Sequence, residues 1–580
     1  MAKEQLFVAD ADKVQDLIFR AARQRQVVGG SRMLAKFGEQ VEKILTGKFK
    51  GARAIISRGG NFTIAFPEGA DTAAFEEEVK LFYHLLLDAY ITTAEVEEPF
   101  EAGNDEEFYE ANIRAMQALE KKKAARQRLT DEAHAPIIAY CHDSGNGLAE
   151  NYTTLKYAEE EGEYYLSKTA CDTWKMGGER YFKDNEFLNS ILDAEPSTQH
   201  LIGMRWTQNV DFLGDLDSSR NNVAYLLADV NDAGKLFRDC GSEEELKEFS
   251  KTLEQTLRAA LAKQIPDLFE NLKVSKGYRK IKKQHEWLPL LPLIFAGDDV
   301  FVMLPAFYAL DFARRFCLDF VTDMQKALEN SQDFPSISGR IKKGEIASPS
   351  ISAALIICKA NYPYHLAHQR GEKLLKQTKS FSKRHCDHND AVAALSFDYV
   401  IGNQLVRAHE ETERDVVPTM NPYWVLPSRN ETHAKGSLSL EELIKYRYEL
   451  RDMPNGHRAK ARKLCSDFLD KVFKTDNPTE KKDAYQEWTQ RVEAWLARLQ
   501  KLYERADRTD PQWLQALREA FEKLGKKREQ DETNTPAHWL RLTRHGEKAQ
   551  YRYALPDLLE IWDYAQNLDK SLSEYQEVEQ

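Results

Sequence analysis

The middle third of the chain shows the clearest alternation of apolar runs and helical stripes. The run "NNVAYLLADVNDAGKLF" has strand character up to Asp229 and then passes through Asn231 and Gly234 into a helix. A second helix follows, because Ser242 and Glu245 have the spacing of a capping box and apolar residues then recur every three or four positions. The strands "LPLIF" and "VFVML" are joined through "AGDD", a length that favours a tight hairpin.

The segments after this hairpin complete a mixed α+β pattern. "ALDFARRFCLDFVTDMQKAL" predicts a helix, "SPSISAALIICKA" a buried strand, the stretch after "NYPYH" a further helix, and "AVAALSFDYVI" a last strand. The order is β-α-β-β-α-β with an extra helix. This is the ferredoxin-like arrangement that polymerase and nucleotide-cyclase palms use.

The N-terminal part repeats this arrangement in outline. "EQLFVADADKVQDLIFRAA" predicts a strand and a helix, and "ARAIISRGGNFTIAFPEG" predicts a hairpin with Gly59, Gly60 and Asn61 at its tip. We therefore expect another palm in the N-terminal part, and this palm lacks acids in its turn. Beyond about Gly436 the pattern predicts helices throughout. Five tryptophans there are expected to pack in the core rather than to form a base-stacking platform: Trp488, Trp495, Trp513, Trp539 and Trp562.

With 580 residues the chain is too long for one core, and the patterns divide it into four predicted domains. Residues 1–135 are expected to form a degenerate first palm with a helical extension. Residues 136–215 form a small helical linking domain, 216–435 the second, catalytic palm, and 436–580 a C-terminal helical domain. The predicted fold class is α+β.

Composition is that of an ordinary soluble globular protein, since 30% of the residues are charged and 42% are hydrophobic. No apolar run reaches the roughly 18 residues of a membrane span, and the first residues have no signal-peptide core. We therefore expect a cytoplasmic protein without a membrane partner. The seven cysteines include no CxxC pair, which fits a reducing compartment.

Charge limits the kinds of partner. A net charge of -12 argues against a protein whose whole surface is wrapped in nucleic acid. A basic strip, "KVSKGYRKIKKQHEW" from Lys273 to Trp287, directly precedes the predicted hairpin. Such strips are usually solvated loops, but this position keeps polyanion contact open.

Asp298 and Asp299 sit at the predicted hairpin tip, where polar residues are common in any protein. In a βαββαβ sheet the first strand and the hairpin strands are neighbours, so Asp229 is expected to approach this tip. Three converging carboxylates raise one another's pKa unless a cation lies among them. Mg²⁺ (or Mn²⁺) suits oxygen ligands and nucleotide phosphates, and two such ions activate a hydroxyl and stabilise leaving pyrophosphate.

Three further residues fit a nucleoside triphosphate such as ATP. Gly297 has no side chain, so a phosphate has room beside the backbone. Gly234 opens the turn into a helix, where free backbone N–H groups attract an anion. Lys379 lies off the apolar stripe of its helix, so its long side chain could reach the β- and γ-phosphates. A surface lysine is more often only solvated, so these residues alone leave both interpretations of Lys379 open.

Four segments occur together in the order of a known family: "LLADVNDAGKLF", "FAGDDVFVMLP", "SISAALIICKANYPYHLAHQRGEKLLKQTKS" and, near the N-terminus, "QVVGGSRML". The set resembles the large, polymerase-like subunit of type III CRISPR effector complexes. The resemblance covers both palms and, more loosely, the helical C-terminus. A free-standing relative of that subunit, acting in antiviral defence, fits the same segments.

The resemblance implies an activity and a site. In that family the second palm makes cyclic oligoadenylates from ATP when the complex has bound target RNA. By position it implies that Asp229, Asp298 and Asp299 hold the metal ions. It also implies that Ser352 approaches the adenine and that Lys379 holds the triphosphate. The implied partners are the other type III CRISPR subunits with guide and target RNA.

Two positions depart from the family pattern. Ala296 stands where the hairpin usually has the first of two glycines, and its methyl group would crowd the nucleotide. Asn231 stands where a second acid is usual after the first strand. Both residues remain predicted substrate contacts, and we expect activity to survive both departures.

The family often carries a four-cysteine zinc module in its first half. Cys141 and Cys171 are kept here, but Ser144 and Trp174 stand where partners are expected, and His142 is a third candidate ligand. Because structural zinc needs about four good ligands, we expect a metal-free remnant. A second His/Cys group is interpreted as a polar loop after a helix: His385, Cys386 and His388.

Many family members begin with a His-Asp nuclease domain. This sequence starts at the first palm, and its pair His142–Asp143 lies in a Gly-rich turn. We therefore expect no DNA cleavage by this chain.

Two alternatives stay open. One is an inert palm scaffold whose helical end docks small subunits around a guide RNA, and it predicts degraded acids. The other is a dinucleotide cyclase that uses GTP, since base choice depends on pocket contacts that no motif reveals.

Overall fold

The computed structural model describes most of the chain. The described residues are 3–11, 18, 24–58, 60–96, 98–125, 139–144, 148–157, 160–178, 186–207, 210–217, 220–273, 278, 287–330, 332–384, 391–400, 416–417, 419–426, 439–473, 478–505, 511–525, 540–545, 548–553 and 555–568. No helix in these ranges is long and apolar enough to cross a membrane.

Helices and strands alternate along both palms. The strands are β1 (Lys3–Ala11), β2 (Arg53–Arg58), β3 (Asn61–Pro67), β4 (Ile91–Glu95), β5 (Phe100–Glu101), β6 (Asn151–Tyr157), β7 (Glu160–Leu166), β8 (Arg205–Trp206), β9 (Asn222–Asn231), β10 (Trp287–Leu288), β11 (Leu291–Ala296), β12 (Asp299–Pro305), β13 (Ser350–Lys359), β14 (Ala393–Tyr399), β15 (Val416–Val417), β16 (Tyr423–Leu426), β17 (Leu540–His545) and β18 (Lys548–Tyr553). The α-helices are α1 (Gln24–Lys48), α2 (Thr72–Leu87), α3 (Asp105–Ala125), α4 (Lys168–Met176), α5 (Glu186–Asp193), α6 (Val210–Leu216), α7 (Ala233–Arg238), α8 (Glu243–Ala262), α9 (Ile265–Lys273), α10 (Ala309–Asn330), α11 (Pro335–Lys343), α12 (Tyr364–Arg384), α13 (Leu440–Glu449), α14 (Asn455–Phe473), α15 (Pro478–Arg505), α16 (Gln512–Gly525) and α17 (Leu555–Glu560).

The second palm is built on a six-stranded sheet in the order β11-β12-β9-β13-β14-β16. β9 lies between β12 and β13 and is antiparallel to both. Along the chain, β9 is followed by helices, the β11-β12 hairpin, α10 and then β13, so the predicted β-α-β-β-α-β palm is confirmed. β14 is added parallel to β13 through α12, which is the extra helix predicted from the sequence.

Helix α12 covers the face of β9 that carries Leu227 and Asp229. β9 and β13 are buried over nearly their whole length, which requires cover on both faces of the sheet. α12 comes closest at Gly371, where an added Cβ would lie 2.5 Å from Leu227 Cδ1. Because glycine permits this approach, the C-terminal half of α12 lies over the end of β9 that bears the acid.

The first palm has the same strand order. Its path is β2-β3-β1-β4, and β3 and β4 both pair with β1 in antiparallel fashion. α3 follows β4 and β5 and packs on β1 and β4, as α12 packs on β9 and β13. The palm that was predicted from the N-terminal sequence is therefore present.

Helix α1 carries the Gly-Gly pair of "QVVGGSRML", and Gly29 is required by its packing. An added Cβ on Gly29 would lie 1.9 Å from the carbonyl oxygen of Thr173 in α4. One turn earlier, Gln26 Nε2 donates to the carbonyl oxygen of Ala170 at 3.1 Å. Helix α1 thereby fixes the segment around α4 to the first palm.

The region after Gly436 is not helical throughout, so that prediction was wrong in part. Helices α13 to α16 follow the predicted stripes, but β17 and β18 form a three-stranded sheet with β15. The sequence "LRLTRHGEKAQYRY" alternates around a turn that contains glycine, a pattern typical of a hairpin. Trp488, Trp513 and Trp562 are buried as predicted, Trp495 is partly buried, and Trp539 lies outside the described residues.

The domain boundaries remain predictions. β15 pairs with β18 across the boundary proposed at residue 435, so two predicted domains share a sheet.

We expect Gly29→Ala to destabilise the protein. The new methyl group meets a backbone carbonyl, which has no rotamer to change, so the free energy of unfolding should fall by about 1–3 kcal/mol. Gly47→Ala is the matched control in the same helix, because no described atom lies within 4 Å of its added Cβ. It should leave stability unchanged or raise it by about 0.5–1 kcal/mol. Scanning calorimetry compares the two, and equal unfolding midpoints would contradict the packing.

Candidate active site in the second palm

The register of the sheet brings three predicted site residues into one row. Asp229 in β9 lies opposite Asp299 in β12 on one side and opposite Ser352 in β13 on the other. Residues that lie directly opposite each other on neighbouring strands point to the same side of the sheet. All three side chains therefore belong to the face that α12 covers. Lys379 of α12 reaches this row, and its Nζ lies 2.7 Å from Asp229 Oδ2.

The hairpin turn places Asp298 beside the row. Ala296 and Asp299 form the last pair of the hairpin, so Gly297 and Asp298 are its two turn residues. Gly297 has a φ of 64°, as the first residue of a type II′ turn requires, and no described atom lies within 4 Å of an added Cβ. In the Gly-Asp-Asp sequence, the glycine is thus required by the turn, and the two acids follow it.

Burial and repulsion between neighbouring acids raise the pKa of both acids of the hairpin. Burial and the charge of Asp229 raise the pKa of Asp298 to about 7. Burial, Asp298 and Asp229 together raise the pKa of Asp299 well above its usual range, and a hydrogen bond joins the Asp299 and Asp229 side chains. Lys379 opposes both shifts. The site therefore needs positive charge to hold Asp298 and Asp299 ionised at neutral pH.

The donor set fits a magnesium ion held partly by protein and partly by a nucleotide. No group of three or more His, Cys, Asp or Glu residues in the described ranges is arranged to hold a metal ion. Asp229 and Asp299 are adjacent, and Mg²⁺ is commonly bound through one or two carboxylates with phosphates and water completing its octahedron. Asp298 contributes negative charge from the turn.

Asn231 and Ser352 form a buried polar network instead of an open surface. Asn231 Nδ2 donates to Ser350 Oγ at 3.0 Å, and Ser352 Oγ donates to Asn231 Oδ1 at 2.9 Å. Ser352 Oγ also lies 3.2 Å from Ser382 Oγ of α12, and Ser352 has no exposed surface. The amide of Asn231, at a position where an acid is usual, therefore links β9 to β13 and, through Ser352, to α12. The contact of Ser352 with adenine stays a prediction.

Beyond Asn231 the chain turns into α7. Asp232 has a φ of 55° and accepts from Lys383 Nζ at 2.9 Å, while Lys235 Nζ lies 3.6 Å away. No described atom lies within 4 Å of an added Cβ on Gly234. The predicted phosphate position at Gly234 is thus uncrowded, and the contact itself remains a prediction.

The first palm contains a pair that the sequence analysis missed. Asp10 in β1 lies opposite Asn61 in β3, which is the register of Asp229 and Asp299, and Lys123 of α3 forms an ion pair with Asp10. The charge of Asp10 contributes to the raised pKa of Asp298, after burial and the charge of Asp229. The sequence contains the signal, because an Ala-Asp dipeptide lies near the end of the first strand of each palm.

The predicted zinc remnant is a small buried cluster. Cys141 and Cys171 are both buried, next to Trp174. Burial raises the pKa of the Cys141 thiol, but hydrogen bonds from Ser144 and Ser167 outweigh it, so the pKa is lowered. The other His/Cys group and most of the basic strip from Lys273 lie outside the described residues.

Comparison with known families identifies the second palm. Residues 222–387 match the family described as Cas10/Cmr2, second palm domain. This segment is similar to the second palm domain of Cas10/Cmr2 proteins. The match contains Asp229, the Gly-Asp-Asp hairpin and Lys379, so it confirms the resemblance for the part of the chain that carries the candidate site. No curated protein matches the chain.

Solved structures similar to the chain include several of Csm1 proteins. A Csm1–Csm4 cassette in complex with cA4 is 14% identical, covers 82% of this chain and 64% of that chain, and has a TM-score of 0.44. Csm1 from T. onnurineus is 16% identical, with coverages of 83% and 62% and a TM-score of 0.43. A cassette with AMPPNP is 15% identical, with coverages of 67% and 54% and a TM-score of 0.38. The chain thus spans a little over half of that last protein.

The raised pKa of Asp298 predicts a pH-dependent cost in stability. The folded-state pKa of about 7 exceeds the unfolded value of about 3.9, so the folded state loses stability as pH rises from about 4 through 7. Asp298→Asn removes this cost. In metal-free protein the variant should be more stable than wild type at pH 8, by roughly 1–2 kcal/mol after allowance for solvent screening. The gain should shrink toward pH 5.

Thermal unfolding midpoints across this pH range measure the effect. Asp452→Asn is the control, because Asp452 is exposed and pairs only at the surface, with Arg451 Nε 3.9 Å away. An Asp298→Asn midpoint equal to or below that of wild type at pH 8 would refute the electrostatic account.

Proposed function

We propose that the protein is a nucleotidyltransferase that makes cyclic oligoadenylates from ATP by attack of a 3′-hydroxyl on an α-phosphate. The observation that carries this proposal is the row of Asp299, Asp229 and Lys379 across three elements of a Cas10/Cmr2 second palm. Two adjacent carboxylates and a lysine match the needs of a nucleoside triphosphate with its metal ion.

Asp229 and Asp299 would hold Mg²⁺ (or Mn²⁺), and Asp298 would add negative charge from the turn. When bound, the metal supplies the charge that activates the attacking hydroxyl and stabilises the departing pyrophosphate. Asp229 and Asp299 are held in register by the β9-β12 ladder, so their separation is set by backbone rather than by flexible side chains.

Lys379 would exchange its partner when substrate binds. Without a nucleotide its ammonium group neutralises Asp229, from a side chain that is 31% exposed. A triphosphate offers more negative charge than one carboxylate, so Lys379 would turn to the phosphates, and Asp229 would then be left to hold the metal ion. Gly297 and Gly234 would leave room for phosphate oxygens beside the backbone.

The setting we propose is a type III CRISPR effector complex with guide and target RNA. Two of the Csm1 proteins named above were solved with Csm4, and we extend a partner of that kind to this chain. A free-standing enzyme and a cyclase that uses GTP remain distinguishable by experiment. An inert scaffold is disfavoured because the second palm keeps all three acids.

We expect Asp229→Asn and Asp299→Asn each to lower product formation by roughly a hundredfold or more, because each removes a metal ligand. Lys379→Ala should raise the KM for ATP more than it lowers kcat, since it removes binding of phosphate. Purified protein is incubated with ATP or GTP, Mg²⁺ and candidate RNA, and the products are resolved by mass.

Lys376→Ala is the matched control for the lysine, because it lies on the same helix and should leave KM unchanged. The enzyme proposal fails if wild type forms no cyclic or oligomeric nucleotide with or without RNA and partner subunits, and if the aspartate variants behave as wild type in cells. If products form from GTP and none form from ATP, the substrate is GTP, as in the alternative function.

A further inference from the structure

Helix α2 of the first palm carries two leucines on its outer face. Leu81 and Leu85 lie one turn apart and are 59% and 60% exposed. The inner side of the helix is packed without them, by four buried side chains at helical spacing: Phe75, Val79, Tyr83 and Leu87. Folding of the first palm therefore does not account for the two leucines, and adjacent exposed apolar side chains of this kind mark a contact surface.

Acidic residues lie on both sides of the two leucines along α2. Glu77 precedes Leu81 by one turn, is exposed and has no ion-pair partner among the described residues. Asp88 caps the helix one turn beyond Leu85; its side chain is 52% exposed, and its Oδ1 lies 3.9 Å from His84 Nδ1. The helix dipole disfavours a carboxylate at this end, so helix stability does not explain Asp88. We call Glu77, Leu81, Leu85 and Asp88 the leucine stripe.

The leucine stripe lies on the opposite side of the first palm's sheet from Asp10. Phe7 of β1 packs edge-on against Phe75 of α2, with ring centroids 5.2 Å apart. Asp10 is three residues further along β1, so its side chain points to the other face, where it pairs with Lys123 of α3. A partner on α2 would therefore leave the face that carries Asp10 uncovered.

The charges of α2 decide what kind of partner fits the leucine stripe. Helix α2 and its two caps contain five acids and one lysine. An antiparallel pairing with α2 of a second copy would bring Leu81 opposite Leu85, but it would also bring Glu78 opposite Asp88. A parallel pairing would bring Glu77 opposite Glu77. Like charges repel in both arrangements, and the phosphates of a nucleic acid would be repelled for the same reason, so a basic protein partner is favoured.

We propose that the leucine stripe docks an amphipathic helix of a partner protein, with two apolar residues one turn apart and a Lys or Arg one turn beyond each of them. The apolar residues would pack against Leu81 and Leu85, which lie about 6 Å apart along the axis of α2. The basic residues would face Glu77 and Asp88, so the two charged ends would fix the register of the partner. Docking at this stripe does not depend on nucleotidyl transfer.

The test uses the full-length protein with a labelled helical peptide as the probe. The peptide is alanine-based, carries fluorescein, is about 16 residues long, and has two leucines one turn apart with a lysine one turn beyond each. Fluorescence anisotropy compares its affinity with that of a second peptide, in which glutamates replace the two lysines. The lysine peptide should bind roughly tenfold more tightly, and Leu81→Ala with Leu85→Ala should lower its affinity by a similar factor. No binding of the lysine peptide up to about 1 mM would overturn the proposal.

Leu502→Ala is the matched control, because Leu502 is a leucine of α15 that is also 60% exposed. It should leave the affinity for the lysine peptide unchanged, and an equal loss of affinity in this variant would contradict docking at the stripe. Thermal unfolding separates docking from a purely structural role. The variant with Leu81→Ala and Leu85→Ala should keep the wild-type midpoint, because both side chains are mostly exposed. A lower midpoint with unchanged peptide affinity would show that the leucines only stabilise this chain.

Two further measurements identify the occupant. Glu77→Lys with Asp88→Lys should reverse the preference, so that the glutamate peptide binds more tightly than the lysine peptide. Equal affinities of the two peptides for wild type and for this variant would indicate apolar adhesion alone and rule the proposal out. Sedimentation velocity of the protein without peptide checks for self-association, and Leu81→Ala should leave the oligomeric state unchanged. A dimer that Leu81→Ala dissociates would make a second copy the occupant, contrary to the proposal.

Discussion

Repulsion among carboxylates at one end of the second palm's sheet is the constraint that shapes the site. Burial and repulsion, with Asp229 beside them, raise the pKa of Asp298 and of Asp299, so a nearby cation is needed for both to be ionised at neutral pH. Lys379 supplies one positive charge, and it reaches Asp229 because Gly371 lets α12 lie close on β9. The packing of one helix thus decides whether the acids are tolerated when no metal is bound.

The two palms differ in the number of acids that a lysine has to neutralise. The first palm keeps an acid and a lysine, Asp10 and Lys123, on the strand and helix that correspond to Asp229 and Lys379. Its turn carries glycine and Asn61 in place of the two acids. In the described part of the first palm, the charge of Lys123 thus lies beside the charge of Asp10. The second palm retains an excess of negative charge, which is what a metal-dependent site requires.

Much of this could be predicted from the sequence. Asp229 and the Gly-Asp-Asp hairpin were predictable because strand ends and tight turns have local signals. The buried network of Asn231 and Ser352 was not, because it depends on α12 packing across strands that are distant in sequence. The β17-β18 hairpin has a local signal, the alternation around a glycine, but the prediction missed it because helical stripes precede and follow it.

The two-residue turn at Gly297 and Asp298 has a consequence for how such a palm changes during evolution. Side chains of a strand point alternately to the two faces of a sheet. An in-frame insertion of one codon within β12 would send the carboxylate of Asp299 or the apolar residues behind it to the wrong face. Deletion of one codon would do the same. A change of length in β12 therefore costs either the acid or the packing of the sheet. Substitution at single positions, such as the Asn61 that stands opposite Asp10 in the first palm, removes an acid while the strand register and the core are retained.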